Sequence, residues 1–129
     1  MALMTEPSLR TLYRIVSAAD WREAVHHGAF RGTEHDLRDG FIHLSASEQV
    51  RDTAAKHYAG KGDLLLLYVR EQPLAQLSEG ALRWEVARGG ALFPHLYAAL
   101  PVSLVHHVER LPLGADGLHV FPALDPQGA

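Results

Sequence analysis

The run Asp63-Leu64-Leu65-Leu66-Leu67-Tyr68-Val69 sets the tightest limit on what this chain can become. It is too short for an independent helix and far too short to cross a bilayer. It does not alternate, so it offers no polar side to water. It therefore reads as a central strand covered on both faces. Two faces need two sets of covering elements, and 129 residues supply them around one core.

The flanking segments supply candidates. Thr11–Val16 alternates and is rich in strand formers, which predicts an opening strand. Ser17 stands three residues before Asp20, a capping position for a helix through Trp21, Ala24 and Val25 that stops at Gly28. Residues 28–40 are polar and bounded by glycines, which predicts a surface loop. A short strand follows at Phe41–Leu44. Ser45 and Glu48 then read as a capping box opening a helix with Val50 and Ala54 on one face, ending near Gly60. Pro73 is expected to end the apolar strand. A shorter strand spans Leu82–Val86, closed by Gly89 and Gly90, and Leu92–Pro101 reads as an irregular aromatic segment. Val102–Leu111 reads as a long strand, and Asp116-Gly117 as a hairpin turn before Leu118–Phe121. The order implies an α+β fold, a mostly antiparallel sheet with two main helices. One domain is expected, with a core of about 9–121 and tails at 1–8 and 122–129.

Composition removes several functions. The net charge is −3 with no basic block, so no surface for tracking nucleic-acid phosphates is expected. There are no cysteines, which excludes disulfides, thiolate nucleophiles and cysteine-held zinc. The first residues lack a basic stretch followed by an apolar one, so a cytoplasmic protein with no membrane partner is expected. The sequence sets no oligomeric state. It holds nine histidines but no H-x-x-x-H pair and no H-E-x-x-H, so no metal ligands are assigned. His26-His27, His106-His107, His35, His57 and His119 are assigned to surface or packing roles.

Three clusters carry candidate chemistry. In Asp39-Gly40-Phe41-Ile42-His43-Leu44-Ser45, alternation puts Phe41, His43 and Ser45 on one strand face and Ile42 and Leu44 on the other. His43 and Ser45 then point together beside a helix N-terminus, whose free N–H groups suit an anion. The plain alternative is a capping serine beside a structural histidine. In Leu82-Arg83-Trp84-Glu85, Arg83 and Glu85 share a face. Glu85 is placed to act as a general base or to stabilise a developing cation, and the plain alternative is a surface ion pair. In Phe93-Pro94-His95-Leu96-Tyr97, His95 is held between proline and aromatic residues outside regular structure, a common setting for a ligand contact. The plain alternative is a packed corner. The three clusters together predict a polar cleft lined by His43, Ser45, Glu85 and His95.

The strings LYRI, DGFIHLS followed by EQ, DLLLL, RWE and FPHLY, in this order, resemble the domain-of-unknown-function 952 family from about Leu12 to Leu111. Ala46 and Ala98 depart from its pattern, standing where Thr and Gly are common. That family's fold is similar to the ADP-ribosyltransferase-like architecture, a split antiparallel sheet with NAD in a central cleft. The resemblance implies a phosphate- or ribose-pairing Arg14, a ligand-facing Ser45, and a Glu85 that stabilises an oxocarbenium-like ribose. His43 and His95 have no assured counterparts there.

The expected site thus comprises Glu85, His43 and His95 as reacting groups, and Arg14, Ser45, Arg83 and Tyr97 as ligand contacts. NAD is the cofactor the resemblance implies; the residues themselves name none. The alternatives are a non-catalytic module binding a small anionic ligand or peptide, and a metal-assisted hydrolase built on His43, His95 and Glu85.

Overall fold

A computed structural model describes residues 10–125. The apolar run forms β4 (Leu64–Arg70), the middle strand of an antiparallel sheet between β1 (Thr11–Ser17) and β8 (Val105–Arg110). Its two faces bury separate clusters. Leu67 and Val69 join Leu12, Val16, Phe30, Ile42, Leu44 and Leu96 on one side. Leu64, Leu66 and Tyr68 join Tyr13, Ile15, Val50, Ala54 and Leu111 on the other. Alternation along β1 places Leu12, Arg14 and Val16 on a single face, so one arginine is driven into an apolar layer.

Helix α1 (Ala18–His27) follows β1 directly, with the Ser17 hydroxyl accepting from the Asp20 N–H at 3.0 Å. It stops at Gly28, whose φ of 87° an L side chain rarely adopts. The expected loop at 28–40 instead holds β2 (Ala29–Phe30) and α2 (Glu34–Asp39). Thr33 and Asp36 cap α2 reciprocally: the Thr33 hydroxyl accepts from the Asp36 N–H, and the Asp36 carboxylate accepts from the Thr33 N–H at 2.7 Å. β3 is only Ile42–His43. The capping box at the next helix also moves by one residue. α3 (Ser47–His57) starts after Ala46, whose N–H donates to the Gln49 side chain at 2.9 Å. Ala46 has no oxygen to return the bond, and Ser45 stays in extended backbone, bridged to Tyr13.

Pro73 does not end β4. The strand ends at Arg70, and Pro73 sits in the first turn of α4 (Glu71–Ala75), where its missing N–H costs little. β5 (Leu82–Val86) forms as expected, but the aromatic segment is a strand too, β6 (Leu92–Leu96), followed by β7 (Leu100–Pro101). β6 tolerates Pro94 because the Pro94 carbonyl accepts from the Leu44 N–H at 3.1 Å. In an antiparallel strand a residue's N–H points to the same side as its C=O. The missing donor therefore faces the end of β3, and pairing with β5 is intact. β3-β6-β5 make a second antiparallel sheet and β2-β7 a third, so the single split sheet expected is three small ones. β8 starts at Val105, after a tight turn over Val102–Leu104. Asp116-Gly117 does turn the chain, but only a single Leu113–His119 bridge follows it.

The tail expected to fray from Pro122 is tied down through Asp125, which accepts from the Thr11 hydroxyl at 2.8 Å and meets His106 Nε2 at 2.9 Å. Tails 1–9 and 126–129 lie outside the described residues. Among the described residues no helix is long and apolar enough to cross a membrane. Leu66, fully buried at the centre of the first sheet, tests the architecture. Leu66→Ala is expected to cost about 2–5 kcal/mol in urea melts. Val86→Ala, on a side chain 69% exposed, is expected to stay within about 0.5 kcal/mol of wild type.

Candidate functional site

The β3-β6-β5 sheet sorts its side chains into an apolar face and a chemical one. Cross-strand register aligns His43, His95 and Arg83 in one row. The period of two then brings Phe41, Tyr97 and Glu85 to the same side, and sends Ile42, Leu44, Leu82, Trp84 and Leu96 to the core. Five of the seven expected site residues thus share a surface: His43, His95, Arg83, Glu85 and Tyr97.

Glu85 is the most constrained group on that surface. Its Oε1 lies 2.7 Å from His95 Nδ1 and accepts from the Tyr97 hydroxyl at 2.7 Å. These bonds, Tyr97's first and His95's second, hold the Glu85 carboxyl below its ordinary value, and the same contact raises the Tyr97 phenol. Glu85 is therefore a carboxylate at neutral pH and Tyr97 a donor. His95 is buried, and Phe41 stacks on it at 3.9 Å with 21° between the rings. Arg83 lies over the Tyr97 ring at 4.5 Å.

Beneath this surface sits a carboxylate that the sequence analysis did not single out. Asp36, 2% exposed, receives Arg14 Nη1 on one oxygen and Nη2 on the other, both at 2.8 Å. His43 adds its backbone N–H at 3.1 Å and its Nδ1 at 2.6 Å. Burial by itself pushes the Asp36 carboxyl up. The hydrogen bonds from His43 and Arg14, the Arg14 charge and the Thr33 N–H outweigh it and leave the group far below the usual carboxylate range. The packing is tight enough that a Cβ on Gly32, at φ 106°, would lie 2.8 Å from that of Asp36.

The structure places Arg14 in this buried arrangement. Its guanidinium meets Asp36, the His43 carbonyl at 2.9 Å and the Ile15 carbonyl at 3.0 Å, beneath the surface. Ser45 also lies elsewhere, buried with its hydroxyl 3.2 Å from that of Thr53, so it neither opens a helix nor lines a cleft. Two hollows of about 290 and 310 Å³ lie away from this surface and include none of its residues.

His35 was assigned to a surface role, and it does lie on the surface, but it has company. His35 Nε2 is 3.1 Å from Asp39 Oδ2, and His43 Nε2 is 2.9 Å from the same oxygen. The sequence signal for α2 was Thr33-x-x-Asp36, a capping box with Asp in place of Glu.

The profile of the family described as "Protein of unknown function (DUF952)" matches residues 15–108. Among solved structures, the crystal structure of protein CC0527 from Caulobacter crescentus is similar at 48% identity and a TM-score of 0.79, covering 85% of this chain and 93% of that one. The solution structure of the same protein gives 49% identity and a TM-score of 0.74, over 84% and 90%. No curated protein matches.

The buried pair generates two expectations. Asp36→Asn leaves Arg14 without its counter-charge, and is expected to cost about 3–5 kcal/mol in urea melts at pH 7. The pH dependence follows from the lowered carboxyl of Asp36. A depressed folded-state value means that the stabilisation is whole above the unfolded-state pKa of about 3.9 and is lost progressively as pH falls below it. The stability gap between wild type and Asp36→Asn should therefore narrow as pH falls below about 4. A gap that widens below about 4 would contradict this origin.

Proposed function

The chain belongs to the DUF952 family, and since that description carries no activity we propose, from geometry, that it binds a small ribosyl-bearing ligand of the nucleotide class on the surface of β3, β6 and β5. One observation carries the reading. Both hydrogen bonds to Glu85, from Tyr97 and His95, fall on Oε1, so the carboxylate is ionised and oriented while Oε2 takes neither. A fixed carboxylate with an oxygen to spare suits paired sugar hydroxyls, which each need an acceptor. Arg83 supplies positive charge for a phosphate, and Phe41, stacked on the buried His95, supplies with the adjacent Tyr97 ring faces for a base or nicotinamide. His43, with its ring centre 5.8 Å from that of His95, borders the same surface.

NAD and ADP-ribose are the members of this ligand class to which the ADP-ribosyltransferase-like resemblance points. An ionised carboxylate beside the ribose also suits an oxocarbenium-like centre, the role carboxylates play in glycosidic cleavage. Trp84 takes no part, since it packs inward with its Nε1 donating to Glu71 at 2.8 Å. Calorimetry tests the reading with ADP-ribose, NAD and nicotinamide. Micromolar to millimolar binding of ADP-ribose is expected, weakened about tenfold or more by Glu85→Gln as one charge-assisted bond is lost. Release of nicotinamide from NAD separates turnover from binding alone. Absence of heat with all three compounds would sink the proposal.

A further inference from the structure

His35, Asp39 and His43 place three donor atoms within 4.8 Å of one another, and neither His35 nor Asp39 has a role described so far. We propose that these residues form a binding site for a divalent first-row transition ion of the zinc type. The residues stand at i, i+4 and i+8. The first pair shares a face of α2, as that spacing requires. Gly40, at φ 87°, then turns the chain so that β3 returns His43 against the same carboxylate.

The donor chemistry fits. Two imidazole nitrogens and one carboxylate oxygen are a recurring three-ligand set for zinc and related ions, with further positions left to water or substrate. Around an ion with bonds of about 2.0–2.1 Å, tetrahedral donors lie about 3.3 Å apart. Both Nε2–Oδ2 separations are already close to this, at 3.1 and 2.9 Å. The spacing between the two histidines needs adjusting, and His35, 58% exposed against 33% for His43, is the less buried of the two.

A buried partner sets the ring that matters most. An ionised carboxylate only accepts, so His43 Nδ1 donates to Asp36 Oδ1 at 2.6 Å and turns Nε2 toward Asp39 Oδ2, where a bound ion would take the place of the Nε2 proton. Asp36 is itself clamped by Arg14 on both oxygens. A carboxylate behind a ligating histidine, fixing its tautomer and its angle, is the arrangement that supports metal-binding imidazoles.

The site shares only His43 with the surface proposed above, and zinc and ADP-ribose are separate titrations. Isothermal titration with zinc chloride, on tag-free protein stripped with chelator, is the test. One zinc per chain with micromolar or tighter affinity is expected. His35→Ala and Asp39→Asn, both on exposed or half-exposed side chains, should each weaken binding at least tenfold while melting like wild type without metal. His27→Ala removes another surface histidine paired to a carboxylate, and should leave the affinity unchanged. Zinc should also raise the melting temperature of wild type but not of His35→Ala. Wild type that takes up no zinc would overturn the site. So would an affinity unaltered in both His35→Ala and Asp39→Asn.

Discussion

Two opposite charges meet inside this protein where neither reaches water. Arg14 is carried into the apolar layer by the alternation that buries Leu12 and Val16 beside it. An isolated guanidinium there would be intolerable, since the solvation lost on burial is of the order of several kcal/mol per ion after relaxation. Asp36 answers it with both oxygens, and to do so α2 must sit against the first sheet. Two further Arg14 donors go to carbonyls of β1 and β3. One pair therefore joins three segments that share no continuous apolar stripe. Such a pair is weak evidence for net stability, because desolvation cancels much of the attraction. Its stronger effect is on register. Any shift of α2 or β3 leaves a charge without its partner.

The second sheet puts that fixed register to use. β3 is two residues long and would not persist as a free ribbon. It is held because the Leu44 N–H reaches Pro94, the Ser45 backbone exchanges hydrogen bonds with Tyr13, and the His43 backbone N–H lands on Asp36. With its backbone committed inward, its outward side chains are placed rigidly. The row of His43, His95 and Arg83 is a consequence of strand pairing rather than of loop conformation. A surface built this way holds its angles without a ligand, which lowers the ordering cost when one arrives.

Sequence patterning revealed the parts of the fold in which one residue type dominates a period. β1, β4 and β5 were legible because strand alternation or a continuous apolar run left no competing reading. α1 was legible because Ser17 and Gly28 marked its ends. α2 was not. It has six residues, mostly polar, and no stripe for periodicity to find, and its stability comes from Asp36 pairing with a residue 22 positions away. β6 was read as irregular because proline argues against a central strand, and only the direction of the missing N–H shows why it is harmless here. The same limit applies to the site. His43, Glu85 and His95 stood out as polar residues on half-apolar strands. Arg14 drew attention by type, but its commitment to Asp36 is a long-range fact. The convergence of His35, Asp39 and His43 was not legible, because a mixed His-Asp-His spacing becomes visible only once the helix exists.

Gly32 ties the buried pair to a position that carries no charge. It abuts Asp36 so closely that even a methyl group would displace the carboxylate, and its backbone conformation independently disfavours a side chain. The nearest atom is the Cβ of Asp36, which every residue but glycine would carry at that position, so exchanging the ion pair for apolar side chains would not free position 32. A side chain gained at position 32 would therefore arrive as a defect in a salt bridge it never touches by charge.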